Sequence, residues 1–201
     1  MKKPARFPVA ILFVAILFFT STFTSAATKK QWRKYRDEAR EAVKRNDFNR
    51  ALELYSLAFN EAEAAFKGGD IRFLDTTGEA AQLHIQLRKY PAAIDMVNKA
   101  ISRMPKPTFH EVNYSAALMN LLGSAQLYSR DLDAAAETFR IARDFSQRKL
   151  GDRHFFVAEA LQGLGAVQIE KRQPEDALRT LQQALDVARE AAGTRRQEGR
   201  L

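Results

Sequence analysis

The feature that most constrains this chain is a self-similarity at an interval of 42 residues. Ala51, Ala93, Ala135 and Ala177 form one column of it, and Ala58, Ala100, Ala142 and Ala184 form a second. A third column, Tyr55, Val97, Phe139 and Leu181, is large and apolar, while a fourth, Ala39, Ala81, Gly123 and Gly165, is small. Within a unit, one set of positions returns at three- and four-residue spacing: Leu161, Leu164, Gly165 and Gln168, then Ala177, Leu181, Ala184, Leu185 and Ala188. That is the period of a helix face, so each unit predicts two amphipathic helices separated by a polar turn. Small residues fixed among large ones mark where helix axes can approach to the short end of the usual ~8–10 Å. A period between about 20 and 50 residues predicts a solenoid, because one helix pair cannot bury its apolar face alone and the units must stack.

Leu164, Gly165, Ala177 and Ala184, and likewise Leu122, Gly123, Ala135 and Ala142, place a small residue after a leucine, an alanine twelve on and another seven later. In this the chain resembles the tetratricopeptide-repeat family. The first two units match less fully, keeping the alanine columns and the aromatic before the second helix, Phe48 and Tyr90. The family's usual unit is about 34 residues. The longer unit here, with Gly151, Asp152, Arg153, His154, Phe155, Phe156, Val157 and Ala158 before a first helix, is similar to repeats of the kinesin-light-chain type, which usually carry proline where Phe155 stands. The resemblance implies an all-α fold, a right-handed α-solenoid of four helix-turn-helix repeats at about 28–67, 70–104, 108–149 and 152–192 within a domain of residues 28–192.

Residues 1–27 do not follow the repeat. Lys2, Lys3 and Arg6 precede an apolar run from Val9 to Phe19, and small residues follow up to Ala26 and Ala27. This is the layout of a secretory signal peptide cleaved after Ala26 or Ala27. Eleven apolar residues are fewer than the ~17–25 that span a bilayer. The expectation is an exported protein, periplasmic or secreted, with peripheral membrane contact at most; an uncleaved N-terminal anchor is the alternative. The absence of cysteine removes a lipid-anchor site and a disulfide framework. Three of the 32 basic residues lie in the leader, so 29 face 24 acidic residues in the remainder and the net charge falls from +8 to +5. That excess makes no case for nucleic acid.

Proline placement follows helix grammar. Pro91 and Pro174 fall in the first turn of a second helix, where a missing N–H costs nothing. Pro105 and Pro107 end a helix, and Thr108 with Glu111 reads as a capping box opening the next. The weakest predicted helix is the first of repeat two, because Thr76, Thr77 and Gly78 lie in its middle and a mid-helix glycine costs ~1 kcal/mol relative to alanine. In the last helix Arg179, Gln182, Gln183, Asp186 and Arg189 point away from the apolar face, predicting a terminal cap. Residues 193–201, with Arg195, Arg196 and Arg200, read as a basic tail.

No catalytic, metal or cofactor pattern is present: the chain has no Gly-rich phosphate loop, no HExxH and no cysteine nucleophile or ligand. His84 is expected in the core, His154 in a structural turn, and His110 beside a cap. The expected function is therefore non-enzymatic: a scaffold or adaptor in the cell envelope for a peptide or protein partner.

In tetratricopeptide arrays the first helix of each pair lines a concave groove. The resemblance places Arg33, Arg36, Arg40 and Lys44 in it from repeat one, Gln82 and Gln86 from repeat two, Asn120, Ser124 and Tyr128 from repeat three, and Glu159, Gln162 and Ala166 from repeat four. Asn120 stands where kinesin-light-chain-type repeats often carry an asparagine that contacts a peptide backbone. The family's carboxylate clamp is missing: Arg40 and Glu79 stand where asparagines are required, and Ala117 and Leu121 replace its cations. Arg33, Arg36, Arg40 and Lys44 share one helical face, and like charges at such spacing repel. This predicts that an acidic partner segment meets that end; binding of an anionic lipid or cell-wall polymer through the same helix is the alternative.

Overall fold

Four turns recur in step with the sequence period. Asn46, Arg88, Arg130 and Arg172, each 42 residues after the last, have φ of 60°, 57°, 70° and 59°. In each, the residue before the turn's exit donates its backbone N–H three residues back, as Asn46 does to Val43 O at 2.9 Å and Arg172 to Ile169 O at 2.9 Å. The following N–H reaches five residues back, from Asp47 to Ala42 O, Lys89 to His84 O, Asp131 to Gln126 O and Gln173 to Gln168 O. This left-handed C-terminal cap satisfies carbonyls that a helix end leaves open. Asp47 and Asp131 then cap the next helix, accepting from the N–H groups of Arg50 and Ala134.

The computed structural model describes residues 9–104 and 111–198, with side chains over 27–104 and 111–193. The described residues form α1 (Val9–Lys44), α2 (Phe48–Ala65), α3 (Ile71–Gln86), α4 (Tyr90–Arg103), α5 (Val112–Tyr128), α6 (Leu132–Leu150), α7 (Phe155–Glu170) and α8 (Pro174–Glu198), with no strand among them. Consecutive helices pack as hairpins, and α3 meets α5 and α5 meets α7, so the first helices of successive pairs form one layer. The fold is the expected all-α helical solenoid. Among the described residues no helix is long and apolar enough to cross a membrane. The leader, the Thr108 cap and His110 lie outside the described side chains. The backbone of α1 is continuous through residue 27, and α8 continues through Gly193, where the tail was expected, to Glu198.

The opposed columns of the sequence become contacts. A Cβ on Gly123 would stand 2.8 Å from the Phe139 ring, and one on Gly165 would stand 2.6 Å from the Leu181 side chain. Small residues on the first helix thus admit large ones from the second. The alanine columns at 51/93/135/177 and 58/100/142/184 are buried throughout.

Three points of the sequence reading are decided by the structure. First, α3 is unbroken across Thr76, Thr77 and Gly78. The Thr76 and Thr77 hydroxyls donate back to the carbonyls of Arg72 and Phe73 at 2.7 and 2.8 Å, and Thr76 Oγ1 also accepts from the Trp32 indole at 3.0 Å. Both threonines are fully buried, so tertiary packing outweighs their helix propensity. Second, α5 begins at Val112, and Glu111 at its N-cap makes no side-chain cap bond. Third, Arg179, Gln182, Gln183, Asp186 and Arg189 of the last helix are exposed as expected, but Leu178 and Leu185 are exposed with them, at 68% and 49%. His84 is buried as expected, and burial, then the charge of Lys89, pushes its pKa below the usual histidine value. His154 is the N-cap of α7, its Nδ1 accepting from the Phe156 N–H at 3.2 Å.

Candidate functional site

The three central first helices expose polar residues of one register. Gln82 on α3, Asn120, Ser124 and Tyr128 on α5, and Glu159, Gln162 and Ala166 on α7 line one depression of about 440 Å³. A second, of about 340 Å³, shares Gln82, Leu121, Ser124 and Tyr128 with it and adds Gln86, Arg88 and Tyr90. The two are one groove. The structure therefore gathers Gln82, Gln86, Asn120, Ser124, Tyr128, Glu159 and Gln162, while Arg33, Arg36, Arg40 and Lys44 line neither depression.

The groove's centre is an amide–carboxylate pair. Asn120 is buried, and its Nδ2 donates to Phe156 O at 3.3 Å and to Glu159 Oε2 at 3.2 Å. Both partners are acceptors, which fixes the amide's orientation and leaves Oδ1 buried without a hydrogen bond. Burial raises the Glu159 pKa above the ordinary carboxylate range, and the Asn120 hydrogen bond opposes the shift. Asn120 Oδ1 is therefore an acceptor without a donor beside a carboxylate that holds the Asn120 amide. Ser124 is turned inward, its hydroxyl donating to Asn120 O at 2.9 Å, and Tyr128 stacks on Tyr90 with ring centroids 5.8 Å apart.

The floor is apolar and was not legible from the repeat register. Phe139, a second-helix residue, reaches the groove because Gly123 and Gly163 make room for its ring: a Cβ on Gly163 would lie 2.3 Å from it. Phe156, Leu127 and Ala117 complete the floor. Gly163 stands 40 residues after Gly123, outside the 42-residue columns, so column matching passes over it.

The expected basic stripe is largely neutralised from within the fold. Arg40 reaches α3, where its Nε donates to Glu79 Oε1 at 2.9 Å and its Nη2 lies 3.1 Å from Asp75 Oδ2. Hydrogen bonding to Glu79 raises the Arg40 pKa, with burial opposing. Arg36 stacks over Trp32 at 4.5 Å and pairs with Asp37, and Lys44 pairs with Glu41 at 2.7 Å. Arg33 is exposed. The mutual repulsion that argued for an acidic partner is thus relieved by acids on a neighbouring helix and on α1 itself.

Residues 114–190 match the family described as the tetratricopeptide repeat. The fold is similar to the crystal structure of the apo form of RapI, with a TM-score of 0.69, 12% identity and coverage of 80% of this chain and 57% of that one. It is also similar to a Podosopora anserina protein with kinesin light chain nearly identical TPR-like repeats (TM-score 0.64, 14% identity, 82% of this chain and 76% of that one). A third similar structure is BtubC from P. vanneervenii (TM-score 0.61, 19% identity, 76% and 61%). This chain spans less than two thirds of the RapI chain's length. No curated protein matches by sequence. Residues 114–190 thus carry the match to the tetratricopeptide repeat, and the first half builds the same helix pairs, so that the fold of the described chain is similar to that of kinesin-light-chain-like repeats.

Proposed function

We propose that this protein is an exported, non-catalytic scaffold that holds a segment of a protein or peptide partner in the groove of α3, α5 and α7. The observation that carries the reading is that groove: seven polar side chains from three repeats converge over an apolar floor, and Asn120 Oδ1 is left without a donor. Proteins of this repeat family commonly serve as interaction scaffolds. A bound segment offering backbone N–H groups or a basic side chain satisfies Asn120 and Glu159, while apolar side chains cover Phe139 and Phe156.

Peptides selected from a random display library against the full chain test the groove. Ala166→Trp, which fills the groove, is expected to weaken the selected peptides at least about tenfold, or ~1.4 kcal/mol. Gln162→Ala should remove one hydrogen bond and cost about three- to tenfold. Leu57→Ala, on the far side of α2, should change nothing. Peptides that bind Ala166→Trp as well as the natural protein would place the binding surface elsewhere.

Export is supported by Lys2, Lys3 and Arg6 before the apolar run and by small residues up to Ala27. N-terminal sequencing of protein recovered from the producing cell should begin at Ala27 or Thr28. An intact leader recovered in the membrane fraction would instead establish an anchored scaffold.

A further inference from the structure

The exposed apolar face of α8 is an internal packing position with nothing on it. Leu178 shares its column with Leu52, Ile94 and Ala136, and Ile169 shares its column with Val43, Ile85 and Leu127. In repeat one Val43 and Leu52 join a core that includes Ala80 and Leu83 of the next repeat. In repeat three Leu127 and Ala136 join one that includes Leu164 and Val167 of the next. Leu185 occupies the column of Phe59, which is 5% exposed, of the half-buried Ile101 and of Arg143. In the fourth repeat the same columns hold Ile169 at 57%, Leu178 at 68% and Leu185 at 49% exposure. Large apolar side chains stand at these positions although no described residue covers them.

The charges beside that stripe are self-complementary. At about 100° per residue, Leu178 and Leu185 lie about 20° apart, and Glu175, Gln182 and Arg189 fall within about 60° of Leu178. If two α8 helices are laid antiparallel with Leu178 of one copy against Leu185 of the other, the two-fold axis passes between Leu181 and Gln182. Glu175 of each copy then comes within one residue of facing Arg189 of the other, and the two Gln182 amides meet near the axis. A parallel arrangement would set Glu175 against Glu175 and Arg189 against Arg189. We infer that the α8 face docks on the α8 face of a second copy of this chain, antiparallel and two-fold symmetric, through Leu178, Leu185 and flanking Ile169 with Glu175–Arg189 pairs at its ends. This interaction is isologous and leaves the groove on α3, α5 and α7 open. A seam of three apolar side chains per copy is narrower than the ~1,200–2,000 Å² of stable complexes, so the association is weak and concentration-dependent.

The natural chain contains no cysteine, so single-cysteine variants of the full chain read the geometry directly. Under mild oxidation Gln182→Cys should form a disulfide-linked dimer at least about tenfold faster than Leu57→Cys, an exposed control on α2. Leu178→Cys and Leu185→Cys should cross-link to each other when mixed, with each alone no faster than the control. Arg189→Glu added to Gln182→Cys should slow cross-linking, and adding Glu175→Arg to that pair should restore the rate. All these positions are exposed, and unchanged melting will show that the fold is kept. Cross-linking of Gln182→Cys at the control rate, preferential self-linking of Leu178→Cys, or failure of the charge swap to restore the rate would each overturn the proposal.

Discussion

Gly68→Ala is expected to lower stability by about 3 kcal/mol or more, the upper end of ordinary overpacking. A Cβ at Gly68 would lie 2.0 Å from Arg103 O and 2.4 Å from Arg103 C, both backbone atoms of the last turn of α4. That turn is held firmly: Arg103 Nη2 donates to Glu63 O at 3.0 Å, and Arg103 and Lys99 pair with Glu63 at 2.8 and 2.6 Å. Burial tends to raise the Glu63 pKa, but the bonds to Lys99 and Arg103 hold it below the usual range. Neither backbone can retreat without breaking this tie. Two other glycines supply the comparison. At Gly69 the obstructing atom is the Glu111 carboxylate, 2.6 Å away and able to swing, so Gly69→Ala should stay within about 1 kcal/mol. At Gly78 a Cβ meets nothing within 4 Å, so Gly78→Ala should stabilise α3 by up to ~1 kcal/mol. At about 2–4 °C per kcal/mol for a domain of this size, thermal melting should rank the variants Gly78→Ala, natural protein or Gly69→Ala, then Gly68→Ala well below. A Gly68→Ala protein that melts within about 2 °C of the natural chain would refute the close approach of the α2–α3 loop to α4.

Arg40→Gln is expected to cost about 1–2 kcal/mol at neutral pH, a charged hydrogen-bond network discounted for its partial exposure to solvent. The substitution leaves Asp75 and Glu79 facing each other, with the Tyr55 hydroxyl donating to Glu79 Oε2 at 3.2 Å. Burial, then the Glu79 charge, already raises the Asp75 pKa, and burial and Glu79 also raise that of Tyr55. A carboxyl whose folded pKa is raised favours folding below the ordinary carboxylate range, and that contribution is lost as pH rises through the folded value. Removing the guanidinium takes away the charge that opposes this shift, so the Asp75 pKa rises further. The deficit of Arg40→Gln should therefore be largest near pH 7 and shrink as pH falls toward about 4 and Asp75 protonates. Arg40→Gln with Glu79→Gln should recover most of the loss. A variant whose melting equals that of the natural protein at pH 7 would show that Arg40 is a solvated charge rather than the α1–α3 tie.

The candidate groove was legible to the extent that it follows from helical phase. Gln82, Asn120, Ser124, Tyr128, Glu159 and Gln162 lie at matching phases of the first helices, so stacking the repeats brings them to one surface. Phe139 could not be found in that way, since it belongs to a second helix and reaches the groove only through space left by two glycines. Arg40 was misjudged for a related reason. Its phase was correct, but its partners Asp75 and Glu79 lie 35 and 39 residues away, on the next first helix.

The sequence by itself determined what depends on period and on side-chain size: four helix pairs, the alanine seams, and the small positions at Gly123 and Gly165 where helices approach closely. These are local or nearest-neighbour properties, and in a solenoid each unit contacts little else. Only the tertiary structure decided the rest. It made α3 continuous by burying Thr76 against Trp32, it neutralised Arg40 across a repeat interface, and it left Leu178 and Leu185 in solvent where repeat one buries Leu52 and Phe59. Burial and ion pairing depend on which surface lies opposite, and a column of residue types does not contain that surface.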